Sequence, residues 1–165
     1  MGLKPTFKLS DIQAKLAADA KRIEKAILLR LQYLGEECVT LARSLDTYKD
    51  QTGNLRNSVG YVIAKDGRVV NNNFRKSASV TSTTKSGKTK TTKGSADGVK
   101  TGENLALEIL LGMRRGYVLI VVAGMDYAAH VETMGNDVLS SAEQFAKKEL
   151  PGMKAKLKRQ VQTMK

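Results

Sequence analysis

An α+β fold is what this sequence predicts: a small antiparallel or mixed sheet packed by long N-terminal and C-terminal helices, with a long basic loop inserted. Three observations carry it. Apolar residues recur at helical spacing through the first 45 positions and again after position 138. Two β-rich segments flank an Asp66-Gly67 dipeptide, and Tyr117 to Ala123 is an unbroken, largely β-branched apolar run. Residues 73–101 are dominated by Ser, Thr, Lys and Gly, a composition that cannot bury enough apolar surface to offset chain entropy.

Taken in order, residues 1–9 are an N-terminal tail, and Ser10-Asp11-Ile12-Gln13 reads as a capping box opening a helix. Ile12, Leu16, Ile23, Ile27, Leu31, Leu34, Cys38, Leu41 and Leu45 then fall on one face, with room for a bend at Gly35. Packing against the protein's own sheet is the usual fate of such a stripe; a coiled-coil partner is the other. Turn formers cluster from Asp46 to Asn54. Ser58 to Ala64 reads as a strand, Asp66-Gly67 as a two-residue hairpin turn with positive φ, and Arg68 to Asn72 as the returning strand.

After the flexible insertion at 73–101, Glu103 to Arg114 reads as a helix with Leu107, Leu110 and Leu111 on one side. Its alternation also permits a strand. Tyr117 to Ala123 reads as a central strand buried on both faces. Tyr127 to Met134 is a short helix. Asn136 or Asp137 caps a final helix along Val138, Ala142, Phe145, Met153, Leu157 and Val161, which Pro151-Gly152 should kink or split.

The 165 residues suit one domain, and a 41% hydrophobic content is globular composition. Cys38 is the single cysteine, so no internal disulfide forms, and its spacing suits a small buried hydrophobe. The N-terminus shows no apolar signal region, and no apolar run has membrane-spanning length. Gly2 with Thr6 formally fits a myristoylation pattern, but nothing else points to a membrane. A place of action in the cytoplasm, or release by lysis, is expected.

The net charge of +12 is localised. Residues 71–101 carry +6, residues 147–165 carry another +6, and the remainder is neutral. Such extensions suit contact with a polyanion, nucleic acid first, or equally keep a loop and a terminal helix soluble. The cations offered for contact with DNA or an acidic partner are Lys85, Lys88, Lys90, Lys93 and Lys100.

Chemistry finds little support. A P-loop needs G-x-x-x-x-G-K-S/T, but Gly87-Lys88-Thr89 is preceded by Ser82 where the first glycine belongs, and Lys100 follows Val99. His130 shares a helix face with Asp126 but not with Glu132, which leaves too few ligands for a metal. No G-x-S-x-G occurs, and Ser140-Ser141 has no base nearby in sequence. No catalytic residue, metal or cofactor is assigned, and the chain is read as a non-enzyme.

Two stretches say most, residues 50–67 and 119–139. Asp50, Thr52, Gly53, Leu55, Arg56 and Ser58 form a D-x-T-G-x-L-R-x-S segment leading into a strand. Tyr127, Ala128, Val131 and Glu132 form Y-A-x-x-V-E, with Gly135 close behind. Together they resemble the tail-completion or neck proteins of long-tailed bacteriophages and prophages, over roughly residues 40–70 and 117–150. The family commonly has an earlier glycine and a Pro-Phe segment, where this chain has Thr133-Met134 and Asn136 to Leu139.

The resemblance implies a structural virion protein at the head-to-tail joint, a homo-oligomeric ring, hexameric if the family pattern holds. Its neighbours would be portal, adaptor or tail-terminator proteins, and it would sit in the virion, and in the host cytoplasm during assembly. On their own chemistry, Gly53 suits a positive-φ turn, Thr52 a local backbone bond, and Leu55 the start of the hairpin's apolar face. Arg56 and Glu132 are expected to meet as a charge-assisted pair, within a subunit or across an interface. The alternative function is a small basic nucleic-acid-binding module of a mobile element.

Overall fold

The computed structural model describes residues 8–45, 47, 52–76, 80–83, 89–92 and 97–163. Among these, helix α1 (Leu9–Ser44) leads to the short α2 (Asn54–Ser58), the strands β1 (Val59–Lys65) and β2 (Arg68–Asn73), and a small hairpin of β3 (Val80–Thr83) and β4 (Thr89–Thr92). Then follow α3 (Asp97–Leu110), β5 (Tyr117–Ala123), α4 (Ala128–Thr133) and α5 (Ser140–Thr163). The α+β architecture is as the sequence predicts. No helix among the described residues is long and apolar enough to cross a membrane.

The main sheet has the order β2-β1-β5, with both pairings antiparallel. Asp66 and Gly67 make the β1–β2 turn with φ of 50° and 76°, the positive values that a two-residue hairpin demands. The Asp66 carboxylate also accepts from Gly116 N at 2.9 Å, fixing the entry to β5 beside the hairpin tip.

The central strand is β1, not β5. Six of its seven residues are buried, from Val59 to Ala64, while β5 stands at the edge with only Ile120 and Val122 buried. The continuous apolar run of β5 serves a strand paired on one side only, whose Ile120 and Val122 pack toward α3 while Leu119 and Val121 stay half-buried on the other face. One face of the sheet presents Val59, Tyr61 and Ile63 to Leu34, Cys38, Val39 and Ala42 of α1 and Ala142 of α5. The other presents Val62, Ala64, Ile120 and Val122 to Ala106 and Leu110 of α3.

Expectations for three of the helices change. Helix α1 begins at Leu9 with Lys8 at its N-cap and no side-chain cap; the Ser10 hydroxyl bonds the Asp11 carboxylate instead of closing a capping box. It runs unbroken through Gly35, where a Cβ would lie 2.9 Å from the Tyr61 ring, so the glycine admits a ring. Helix α3 starts at Asp97, inside the stretch expected as a loop, and its inward face is Gly98, Gly102, Ala106 and Leu110. Leu107 and Leu111 point to solvent. Pro151 lies within α5 without splitting it; its missing N–H and ring fall on the exposed side of the helix.

A polar cluster closes one end of the core. Tyr61 is fully buried, and its hydroxyl donates to Glu36 Oε1 at 3.0 Å. Asn73 Nδ2 donates to both oxygens of the same carboxylate at 2.7 Å. Burial, then the Glu36 carboxylate, pushes the Tyr61 phenol up to about 12. Nearby, Arg43 donates from Nε and a terminal nitrogen to Val59 O at 3.1 and 2.7 Å, pinning the start of β1 to α1.

Candidate assembly site

The two motif stretches, some seventy residues apart in sequence, meet in space. Gly53 stands before α2 in the left-handed conformation, at φ 75°, as its sequence context implies. Thr52 Oγ1 accepts from Asn54 N at 3.3 Å, the expected local bond. Leu55 differs from expectation: it belongs to α2 and not to the hairpin face, and it packs with Ala128 of α4 and Val138 ahead of α5. Val131, Met125 and Leu139 complete this small cluster.

Main-chain contacts lock the arrangement. Ser58 is buried; its hydroxyl bonds Leu55 O at 2.8 Å, and its carbonyl accepts from Gly124 N at 3.2 Å, just past β5. Helix α3 lies against the same turn through Gly98 and Gly102, where a Cβ would strike the Asn54 and Ser58 carbonyls. This close approach explains why α3 begins in a glycine-containing stretch that composition alone reads as loop.

Glu132 does not pair with Arg56 within the subunit. Its Oε1 accepts from Leu139 N at 2.8 Å, Ser140 N at 3.0 Å and Ser140 Oγ at 3.1 Å. It therefore caps α5, where orphan N–H groups and the helix dipole favour an anion. Burial raises its pKa, but the donors from Leu139, Ser140 and Val138 outweigh that and hold it below the ordinary glutamate value. Asp137 adds a second carboxylate, accepting from Ser141 N at 3.2 Å and from its hydroxyl, as the expected capping residue. Thr47 bonds the Asp137 carbonyl at 2.6 Å, tying the segment after α1 to the same corner.

Of the remaining motif residues, Tyr127 is exposed, Arg56 is half-buried and Gly135 ends α4 at φ 83°. Asp50, Lys85, Lys88 and Lys93 lie outside the described residues, Lys90 falls in β4, and Lys100 is exposed on α3. His130 is exposed on α4, and its carbonyl accepts from Met134 N and the Thr133 hydroxyl. Cys38 is buried, as its spacing implies, and burial pushes its thiol pKa up, away from reactivity.

Sequence reasoning missed the Glu36–Tyr61–Asn73 cluster, the Arg43 clamp and the capping role of Glu132. The first two join residues distant in sequence with no motif spacing. The third puts the carboxylate seven and eight residues before its donors, outside the capping-box interval. Compared with protein-family models, curated proteins and solved structures, the chain gives no match.

Proposed function

We propose that this chain is a structural protein of a phage or prophage virion, a head-to-tail joining or tail-completion component that assembles into a homo-oligomeric ring of six. The observation that carries the reading is the convergence of both motif stretches on one corner, where Leu55, Ala128 and Val138 pack and Glu132 caps α5. The motif residues do the work of a joint. They fix α2, α4 and the start of α5 against the sheet, so the long helices leave the body at a set angle.

Mechanism then means assembly. A rigid body presents helix and edge-strand surfaces to its neighbours, with portal, adaptor or tail-terminator proteins above and below. The β3–β4 hairpin forms a sheet of its own, separate from the core, and lies in the basic stretch. In the ring it faces the DNA passing through the lumen or an acidic neighbour. Deleting the gene from a phage that carries it is expected to leave filled heads and finished tails unjoined in electron micrographs. Normal particle yield without the gene would overturn the reading.

One observation favours the second reading, a nucleic-acid-binding module. Lys147, Lys148, Lys154, Lys156, Lys158 and Arg159 are all exposed on α5. It predicts that the isolated chain binds duplex DNA with a steep salt dependence. A ring component binds weakly until assembled.

A further inference from the structure

Among the described residues, nothing covers the first part of α1. From Leu9 to Arg22 every residue is exposed except the half-buried Asp19. Leu9, Ile12 and Leu16, spaced by three and four, form an apolar stripe that is 67%, 39% and 64% exposed. Helix α5 runs antiparallel along α1: the Cys38 thiol meets Ala142 O at 3.6 Å, and Arg30 donates to Gln160 Oε1 at 2.7 Å. Its last turns therefore lie beside the middle of α1, leaving the stripe upstream uncovered.

The body holds an apolar concavity that is also uncovered. Between α1, α5 and β5 lies a groove of about 740 Å³, walled by Ile27, Leu31, Leu34, Leu119, Leu150 and Met153. Stripe and groove cannot meet within one chain. Ile27, in the groove wall, is eleven residues beyond Leu16 on the same continuous helix, about 16 Å along an axis that cannot fold back on itself.

We propose that the Leu9–Arg22 arm of one copy lies in the α1–α5–β5 groove of the next. The proposal rests on the ring reading above and names the contact that builds it. Recognition is of the helix-in-groove kind, with anchors one turn apart. One charge contact favours this occupant: Asp19, three residues after Leu16 and seven after Ile12 on the stripe's face, contacts Arg22 only at a loose 3.5 Å and is placed to meet the groove's cations. The arm as a whole carries Lys15, Lys21 and Arg22 against Asp11 and Asp19. The groove offers Arg30 and Lys154 beside Lys147, which pairs with Glu143 at 2.6 Å. Because arm and groove are different surfaces, the contact is head-to-tail; repetition closes a ring if the rotation permits and otherwise grows a filament.

Cross-linking on the full chain tests it. Leu16→Cys places a thiol on the arm and Leu150→Cys one in the groove, both at exposed positions, and retained thermal unfolding confirms folding. The double variant, treated with a short bis-maleimide at the highest soluble concentration, is expected to give a ladder of covalent multimers. Adding Ile12→Lys to it is expected to abolish the ladder. In a Cys38→Ala background, which removes the thiol lining the groove, dimers from Leu16→Cys alone would show arm pairing with arm and overturn the proposal. A multi-subunit mass by light scattering without a ladder would overturn the contact and leave the ring standing. A ladder from open filaments would keep the contact and sink the ring. A monomer without a ladder would overturn both, leaving the groove to another occupant such as an apolar small molecule.

Discussion

The two halves of α1 share one helix and one periodicity but meet different fates. From Leu34 to Ala42 the apolar stripe is buried on the sheet and α5, with Leu34, Cys38, Val39 and Ala42 in the core, and Ile27 and Leu31 ahead of it are half-buried. From Leu9 to Arg22 the stripe continues in solvent. A helical repeat of apolar residues specifies that a face will be covered; it does not specify by what. The later half is covered by its own fold, and the first half carries the same signal with no covering element among the described residues.

Substitutions break or sharpen this contrast, and the largest effect belongs to the buried half's partner strand. Tyr61→Ala empties the core beneath Gly35 and leaves Glu36 short of a donor; it is expected to destabilise the fold by about 3–5 kcal/mol in urea unfolding. Gly102→Val drives a side chain into the Ser58 carbonyl and Phe74, costing about 1–3 kcal/mol. Glu132→Ala removes the α5 cap at about 1 kcal/mol, which moves Tm down by roughly 2–4 °C for a chain this size.

The Glu132 effect has a pH signature. Its pKa is depressed in the folded state, so its stabilisation is full above the unfolded glutamate value of about 4.3 and is lost as pH falls through the folded value. Stability measured across that acid window is expected to fall less in Glu132→Ala than in the parent. At the small end, Ile12→Lys on the exposed half is expected to change the stability of the single subunit by no more than about 0.5 kcal/mol. A large loss there would mean that the arm is covered within the subunit.

Much of the fold was legible because local chemistry and global structure agree. Asp66-Gly67 admits one common turn, the repeat from Ile12 to Leu45 admits a helix, and Val59 to Ala64 falls in a strand as its residues demand. Strand order was not legible. Gly60 makes β1 look like the weaker strand, yet the glycine is there because the Phe74 ring lies over it. The start of α3 was hidden for a similar reason: Gly98 and Gly102 lower helix propensity but let the helix touch backbone at Asn54 and Ser58.

At the candidate site, Gly53, Thr52 and Asp137 act as their residue types predict. Leu55 and Glu132 do not, because their partners are set by the meeting of two distant segments. Leu55 packs on Ala128 and Val138, and Glu132 answers the N–H groups of Leu139 and Ser140. The arm of α1 and the groove were each present in the sequence as apolar residues at helical spacing. Only the path of α5 along the middle of α1 shows that, among the described residues, the two are left over.

The most direct measurement is particle mass by light scattering, taken in parallel on the parent chain and on Ile12→Lys. The parent particle is expected near six times the 18.0 kDa chain mass, and the variant is expected to be folded but monomeric. A variant assembling as well as the parent would contradict the claim that the exposed half of α1 is what joins one copy to the next.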